Sequence, residues 1–225
     1  MAVTANYIND VFTQIAKNYD LMNNVISLGS HNRYKRKAIA RLPIKQGELV
    51  LDLAAGTGDL AKMIARQFDA RMIIADRNIT MLQIAQTRTG SNEIIGCDAA
   101  ELPFQNNSFN HVIVGFGIRN FQQLDKAFGE IYRILKPGGK LVALEFAQPG
   151  NSIIRKMRNF YFRKIVPLLS RVLIGKYAEY HYLAASVINF HDQQTILCKL
   201  SEQQYKKTEV HNYIFGGIAI YEGRK

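Results

Sequence analysis

Between residues 49 and 146 the chain repeats one pattern: a short run rich in Ile, Val and Leu, a turn, and a stretch with helical spacing. The strand-like runs are Leu49 to Leu53, Arg71 to Asp76, Glu93 to Cys97, His111 to Gly115 and Lys140 to Phe146. Runs apolar on both faces belong in a sheet covered on both sides, the environment of parallel strands joined by helical crossovers. Stretches 58–67, 79–89 and 122–135 supply the crossovers, the last with Leu124, Phe128, Ile131, Tyr132 and Leu135 on one face. Lys136-Pro137-Gly138-Gly139 is expected to stop that helix and turn into the next strand. The predicted fold is α/β, a doubly wound, mostly parallel, Rossmann-like sheet. Its ligand crevice belongs at the carboxyl ends of the strands, so the loops after residues 53, 76, 97 and 115 face it.

Two segments stand outside the alternation. Residues 1–45 read as a helical cover preceding the first strand, and 150–200 as a mostly helical insertion. Two closing strands, about 205–212 and 214–222, are separated by too few residues for a parallel crossover and must pair antiparallel, which makes seven strands. A length of 225 residues suits one domain with insertions, spanning 1–225. No apolar run reaches the roughly 18 residues of a membrane span, and Met1 to Asn6 lacks the features of a signal peptide, so a cytoplasmic protein is expected. Cys97 and Cys198 have no Cys/His cluster around them; both are expected as small core residues, and no metal site is expected.

The net charge is +11, of which residues 151–177 carry +7 with no acid: Arg155, Lys156, Arg158, Arg163, Lys164, Arg171 and Lys176. Bulky apolar residues such as Ile153, Met157, Phe160 and Val172 are interleaved with these bases, as in a basic amphipathic helix pair. Such a segment is either a solvated face over a core or a surface for membrane and lipid tail.

The turn Gly56-Thr57-Gly58 follows the first strand and is flanked by Asp52 and Asp59. A glycine turn between strand and helix suits a phosphate, but these carboxylates would repel one. Asp76 ends the second strand twenty residues after Gly56, the spacing at which an acid reaches a ribose diol. Asp98 and Ala99 follow the third strand, where a carboxylate and a backbone amide can read an adenine edge. Asp52 and Asp59 also have a structural reading as turn or helix caps, weaker for Asp52 because a carboxylate inside an apolar strand needs a partner. Four acids around a phosphate-free adenosine site point to a cationic cofactor, S-adenosyl-L-methionine, bound by Gly56, Thr57, Gly58, Asp76, Asp98 and Ala99.

Over residues 49–146 the pattern resembles the class I S-adenosylmethionine-dependent methyltransferases. Tyr19-Asp20-Leu21-Met22-Asn23 through to Tyr34, Gly115-Phe116-Gly117-Ile118-Arg119-Asn120, and Arg133 through to Phe146 are together similar to the ubiquinone/menaquinone C-methyltransferases, the UbiE/MenG family. The resemblance runs from about Val11 to Lys225. Departures fall at Tyr34, where Trp is usual, at Ala147, where Ser is common, and at His191, where Phe-Pro-Asp is usual. The resemblance implies C-methylation of a polyprenylated hydroquinone, either demethylmenaquinol or a methoxy-benzoquinol, with a peripheral position at the inner face of the membrane. A homodimer is left open.

The reduced ring must be the acceptor, since a phenolate pushes electron density onto its ortho carbon and a quinone does not. Arg119 can stabilise that phenolate, and Asn120 can orient the hydroxyl or a water. Tyr19 and His31 are candidates for proton relay, His31 having the intrinsic pKa closer to neutral. Each has a structural reading: Arg119 paired with an acid, Tyr19 packed, His31 bonded locally. A nucleic-acid methyltransferase is the rival suggested by charge, but no Asn/Asp-Pro-Pro-aromatic element or Pro-Cys nucleophile follows the fourth strand, and no nucleic-acid partner is expected. The non-catalytic rival is a cofactor-binding scaffold in a quinone-synthesis complex.

Overall fold

The computed structural model describes residues 4–27, 29–91 and 93–225. Met1 to Val3, and Leu28 within the Tyr19-to-Tyr34 motif, lie outside the described residues.

Seven strands form one sheet: β1 (Leu49–Leu53), β2 (Arg71–Asp76), β3 (Ile94–Gly96), β4 (Phe109–Gly115), β5 (Leu135–Phe146), β6 (Lys206–Tyr213) and β7 (Ile218–Arg224). Their spatial order is β3-β2-β1-β4-β5-β7-β6. The first five are mutually parallel, while β7 runs antiparallel to both β5 and β6. The order reverses between β1 and β4, and a crevice opens outside their carboxyl ends.

The crossovers are α4 (Asp59–Ala65), α5 (Ile79–Thr89) and α6 (Leu124–Ile134). Asn78 caps α5 by accepting the Met81 N–H, and Gly90 at φ +67° closes its other end. Side-chain alternation divides the sheet between two cores. Leu51, Leu53, Val112 and Val114 pack with Phe128 and Ile131 of α6 on one face. Val50, Ile113, Val142 and Leu144 pack with Ala38, Ile39, Leu60 and Ile64 on the other. Asp52 has the parity of Val50, so its carboxylate enters the second face.

The N-terminal cover is three helices: α1 (Ala5–Ile15), α2 (Tyr19–Ile26) and α3 (His31–Ile39). The insertion holds α7 (Ser152–Phe160), α8 (Val166–Ile174), α9 (Tyr177–Ile188) and α10 (Gln193–Glu202). A π-turn over Tyr161–Ile165 joins α7 to α8 with helical dihedrals on both sides, so the expected helix pair is one continuous rod from 152 to 174.

Two expectations are corrected. Lys136 to Gly139 does not separate helix from strand: β5 already pairs at Leu135 with Phe109, and resumes at Lys140 opposite His111, so the Pro-Gly-Gly run is an excursion within the strand. Cys198 is not a core residue but lies exposed on α10, because the buried face of that helix is taken by Ile196 and Leu200.

Candidate active site

Two cavities occupy the crevice, one of about 390 Å3 and one of about 110 Å3. Tyr19, Ala54, Gly56, Gly115 and Phe116 line both, so a thin wall of the Tyr19 ring and the β1 and β4 loops divides them. Two members of that wall, Ala54 at φ +54° and Phe116 at φ +58°, hold a left-handed backbone without being glycine. Such conformations cost about 1–3 kcal/mol each and persist where surrounding structure imposes them.

The smaller cavity is polar at one end. Asp76 Oδ2 accepts the Gly56 N–H and its Oδ1 accepts the Asn78 N–H, each at 2.8 Å. These bonds fix the carboxylate at the end of β2 and tie it to the glycine turn. Burial raises the Asp76 pKa, against those same backbone bonds. Asp98 and Ala99 line the same cavity, with Asp98 accepting from Arg77 at 2.9 Å and from the Ala100 N–H at 2.9 Å. Cys97 beside them is held as a thiol, its pKa pushed up to about 12 by burial and by Asp76 and Asp98.

Of the glycine turn, Gly56 lines both cavities and Thr57 the larger one, where its hydroxyl donates to Asp20 at 3.3 Å. Gly58 touches neither; at φ +78° it caps α4, where a Cβ would stand 3.0 Å from that of Ala85. The reading of Asp59 as a counter-ion for a cofactor is corrected: Lys35 holds it at 2.6 Å and Arg88 at 3.4 Å, so its charge is already matched. Asp52 differs. Its Oδ2 accepts the Ala61 N–H at 2.9 Å, while its Oδ1 is buried with no hydrogen-bond partner among the described residues. Burial lifts this carboxyl to about 7, outweighing the Ala61 bond and the nearby Lys35. An orphaned, nearly neutral-pH carboxyl in the cavity wall fits a cationic ligand.

The larger cavity is lined by the polar Asn23, Ser27, His31 and Lys35 and by the apolar Met157, Phe162, Leu183, Val187 and Ile218. The protonation of His31 follows from its neighbours. Ser27 Oγ donates its only proton to the Asn23 carbonyl at 2.6 Å, so its 3.0 Å contact with His31 Nδ1 must be a donation from the ring. Nε2 then carries the lone pair, and no described residue bonds to it. Burial, then Lys35, lowers the His31 pKa, so the imidazole is neutral.

Tyr19 packs over the turn, and burial raises its phenol pKa although Arg119 opposes this. It therefore keeps its proton and can offer a hydrogen bond, but it is a poor base. Arg119 lines the larger cavity with its charge matched: Nη1 lies 2.8 Å from Glu145, donates also to the Phe116 carbonyl, and Nε reaches Ser186 at 3.3 Å. Glu145 is fully buried, and burial raises its pKa against the pull of Arg119. Removing Arg119 would strand that acid, a loss of about 3–5 kcal/mol. Asn120 lies on the smaller cavity, where it accepts from the Tyr182 hydroxyl at 3.3 Å, and does not line the larger one.

Sequence reasoning passed over Glu145 and the Lys35–Asp59 pair. Glu145 was open to the argument used for Asp52, a carboxylate within an apolar strand. Lys35 carried no signal, because its partner is 24 residues away.

A sheet ordered 3-2-1-4-5-7-6 with an antiparallel seventh strand, a glycine turn after β1 and acids after β2 and β3 defines the class I S-adenosylmethionine-dependent methyltransferase fold. A solved SAM-dependent methyltransferase from Thermotoga maritima superposes with a TM-score of 0.70 over 96% of this chain and 99% of its own, at 18% identity, a likeness of fold. The family model described as the ubiE/COQ5 methyltransferase family matches residues 1–225. The chain is 38% identical over 226 residues to the ubiquinone/menaquinone biosynthesis C-methyltransferase UbiE of Hydrogenovibrio crunogenus, covering 97% of this chain and 89% of that protein. It is 34% identical to the demethylmenaquinone methyltransferase of Lactiplantibacillus plantarum, covering 97% and 95%. The chain belongs to the ubiE/COQ5 methyltransferase family.

Proposed function

We propose that this protein methylates a ring carbon of a reduced polyprenyl quinone, a demethylmenaquinol or a methoxy-benzoquinol. The observation that carries this reading is the pair of cavities sharing lining residues: an acid-lined one of nucleoside character, and a larger one with many bulky apolar side chains in its lining. S-adenosylmethionine supplies an electrophilic methyl group when bound. Asp76, with lone pairs to spare, would hold the ribose, Asp98 and Ala99 would read the adenine, and Asp52 Oδ1 would compensate positive charge beside the Gly56–Thr57 turn. Tyr19 and Phe116 exclude water from the shared wall, and positioning across it supplies much of the rate.

His31 Nε2 takes the proton of the ring hydroxyl, a role for which its tautomer and neutral state suit it. Arg119 holds the β4 loop through Glu145 and Phe116 rather than acting as a base, since guanidinium does not readily lose a proton. The apolar lining of the larger cavity takes the prenyl tail. The basic rod 152–174 sets the enzyme on the surface of the membrane from which that tail comes.

The test is turnover with short-tailed naphthoquinol and benzoquinol acceptors, each held reduced, alongside S-adenosylmethionine binding by calorimetry. Methyl transfer to at least one ring is expected, with Asp76→Ala losing cofactor affinity about tenfold or more. His31→Gln should lower kcat about 100-fold with that affinity intact. Binding without turnover on either ring would leave a scaffold instead.

A further inference from the structure

Arg119 and Arg158 both line the larger cavity, and their surroundings differ in one respect. Arg119 is matched by a buried carboxylate. Arg158 has only neutral acceptors: Nη1 donates to the Ala147 carbonyl, Nη2 to Gln148 Oε1 at 2.8 Å and Asn159 Oδ1 at 2.7 Å, and Nε to Asn159 Oδ1 at 3.2 Å. Among the described residues no carboxylate forms an ion pair with it, and one N–H of Nη1 has no acceptor. Those bonds fix the guanidinium between the end of β5 and α7, so the charge is held in place. Partial burial pushes its pKa down to about 10, and the like charge of Arg155 adds to the effect. A half-buried guanidinium without a counter-ion is poorly compensated until an anion arrives.

We infer that Arg158 is the anion-recognising residue of the acceptor cavity and takes an anionic oxygen borne by an aromatic acceptor ring. This rests on the proposed methylation of a reduced ring and adds what the cavity selects. Two sources share the chemistry: the phenolate formed when the ring loses its proton, and a carboxylate carried on the ring. In the first case Arg158 lowers the pKa of the bound phenol, and the proton lost from that same oxygen leaves to His31 Nε2, which lines the same cavity.

The test uses the full chain saturated with S-adenosylhomocysteine. Calorimetry compares a hydroxynaphthoate with its carboxamide, and a naphthol across pH values on both sides of its own pKa. The wild type is expected to prefer the carboxylate over the carboxamide by about tenfold or more, the lower end for one charge-assisted hydrogen bond. Arg158→Gln should abolish that preference and Arg158→Lys retain part of it. A naphthol that binds more tightly above its pKa only when Arg158 is present identifies the phenolate as the source. A preference for the carboxylate alone identifies the carboxylate.

Equal wild-type binding of carboxylate and carboxamide, together with naphthol binding that does not tighten above its pKa, would overturn the inference, and so would a preference that survives in Arg158→Gln with its cofactor affinity unchanged. If the glutamine variant does not fold, the wild-type comparison and the lysine variant still decide. A wild-type anion preference that Arg158→Gln abolishes, in a protein that methylates neither quinol, would sink the proposed reaction and leave the role of Arg158 standing.

Discussion

Asp52 and Glu145 are both fully buried carboxylates on apolar strands, and they are satisfied in opposite ways. Glu145 has Arg119 within the fold, whereas Asp52 keeps one oxygen without a partner. Raising the Asp52 pKa to about 7 means that the folded chain holds a proton which the unfolded chain releases near 4. Its contribution to stability is therefore present at low pH and is lost as pH rises through about 7. A cation beside the carboxylate favours its ionised form, so affinity for S-adenosylmethionine should increase with pH, by up to about tenfold between pH 6 and 8. Titration calorimetry of wild type and Asp52→Asn checks this. The variant should bind more weakly with a flat profile, and a wild type already flat over that range would remove Asp52 from the site.

The rod from Ser152 to Ile174 shows how one element serves both cavity and surface. Its inward residues Phe162 and Val166 enter the core with Met22 and Leu183. Ile153 and Met157 are each 67% exposed and Phe160 is 62% exposed, on helical turns that also carry Arg155 and Lys156. Phe215, 82% exposed at φ +53°, stands in the β6–β7 connection next to Ile214, which together with Met157 lines the larger cavity. Exposed aromatic and aliphatic side chains among bases suit an anionic bilayer, and here they border an apolar cavity. No helix among the described residues is long and apolar enough to cross a membrane. Vesicles containing anionic lipid should co-sediment the protein at low salt. Met157→Glu together with Phe215→Glu should weaken that binding about tenfold or more, without altering cofactor affinity in solution. Unchanged sedimentation of the double variant would place the bilayer contact elsewhere.

Across the molecule, the cover α1–α3 closes on a finished sheet domain. Asp20 of α2 pairs with Arg88 of α5, and Lys35 of α3 with Asp59 of α4. Asn78 ties the start of α5 to Asn9 and Thr13 of α1. Ile8, Asn9 and Phe12 line the smaller cavity, and Asn23, Ile26 and His31 the larger, so ligands on either side must be covered by these helices. Saturating S-adenosylmethionine should therefore slow amide hydrogen exchange in α1 and α2 about tenfold or more, while β4 and β5 stay unchanged. Arg88→Ala should raise exchange in α2 without ligand. No ligand-dependent protection in α1 or α2 would mean that the cover does not close over the cofactor.

The strand runs of 49–146, the antiparallel ending, and the acids at the ends of β2 and β3 were legible because each depends on local spacing: short continuous apolar runs between turns, a connection too short for a crossover, twenty residues from Gly56 to Asp76. Those signals survive in one dimension since the chain itself sets the geometry. What charge each site keeps was not legible. Asp59 flanks the turn as Asp52 does, yet Lys35 and Arg88 from other helices match its charge, and Glu145 matches that of Arg119. Arg158, one base among seven in its segment, became distinct only through the neutral acceptors around it. Sequence determines which groups are present and which element carries them. Only the packing of distant elements decides which charges cancel, because ion pairing depends on separations of a few ångströms that chain spacing does not encode.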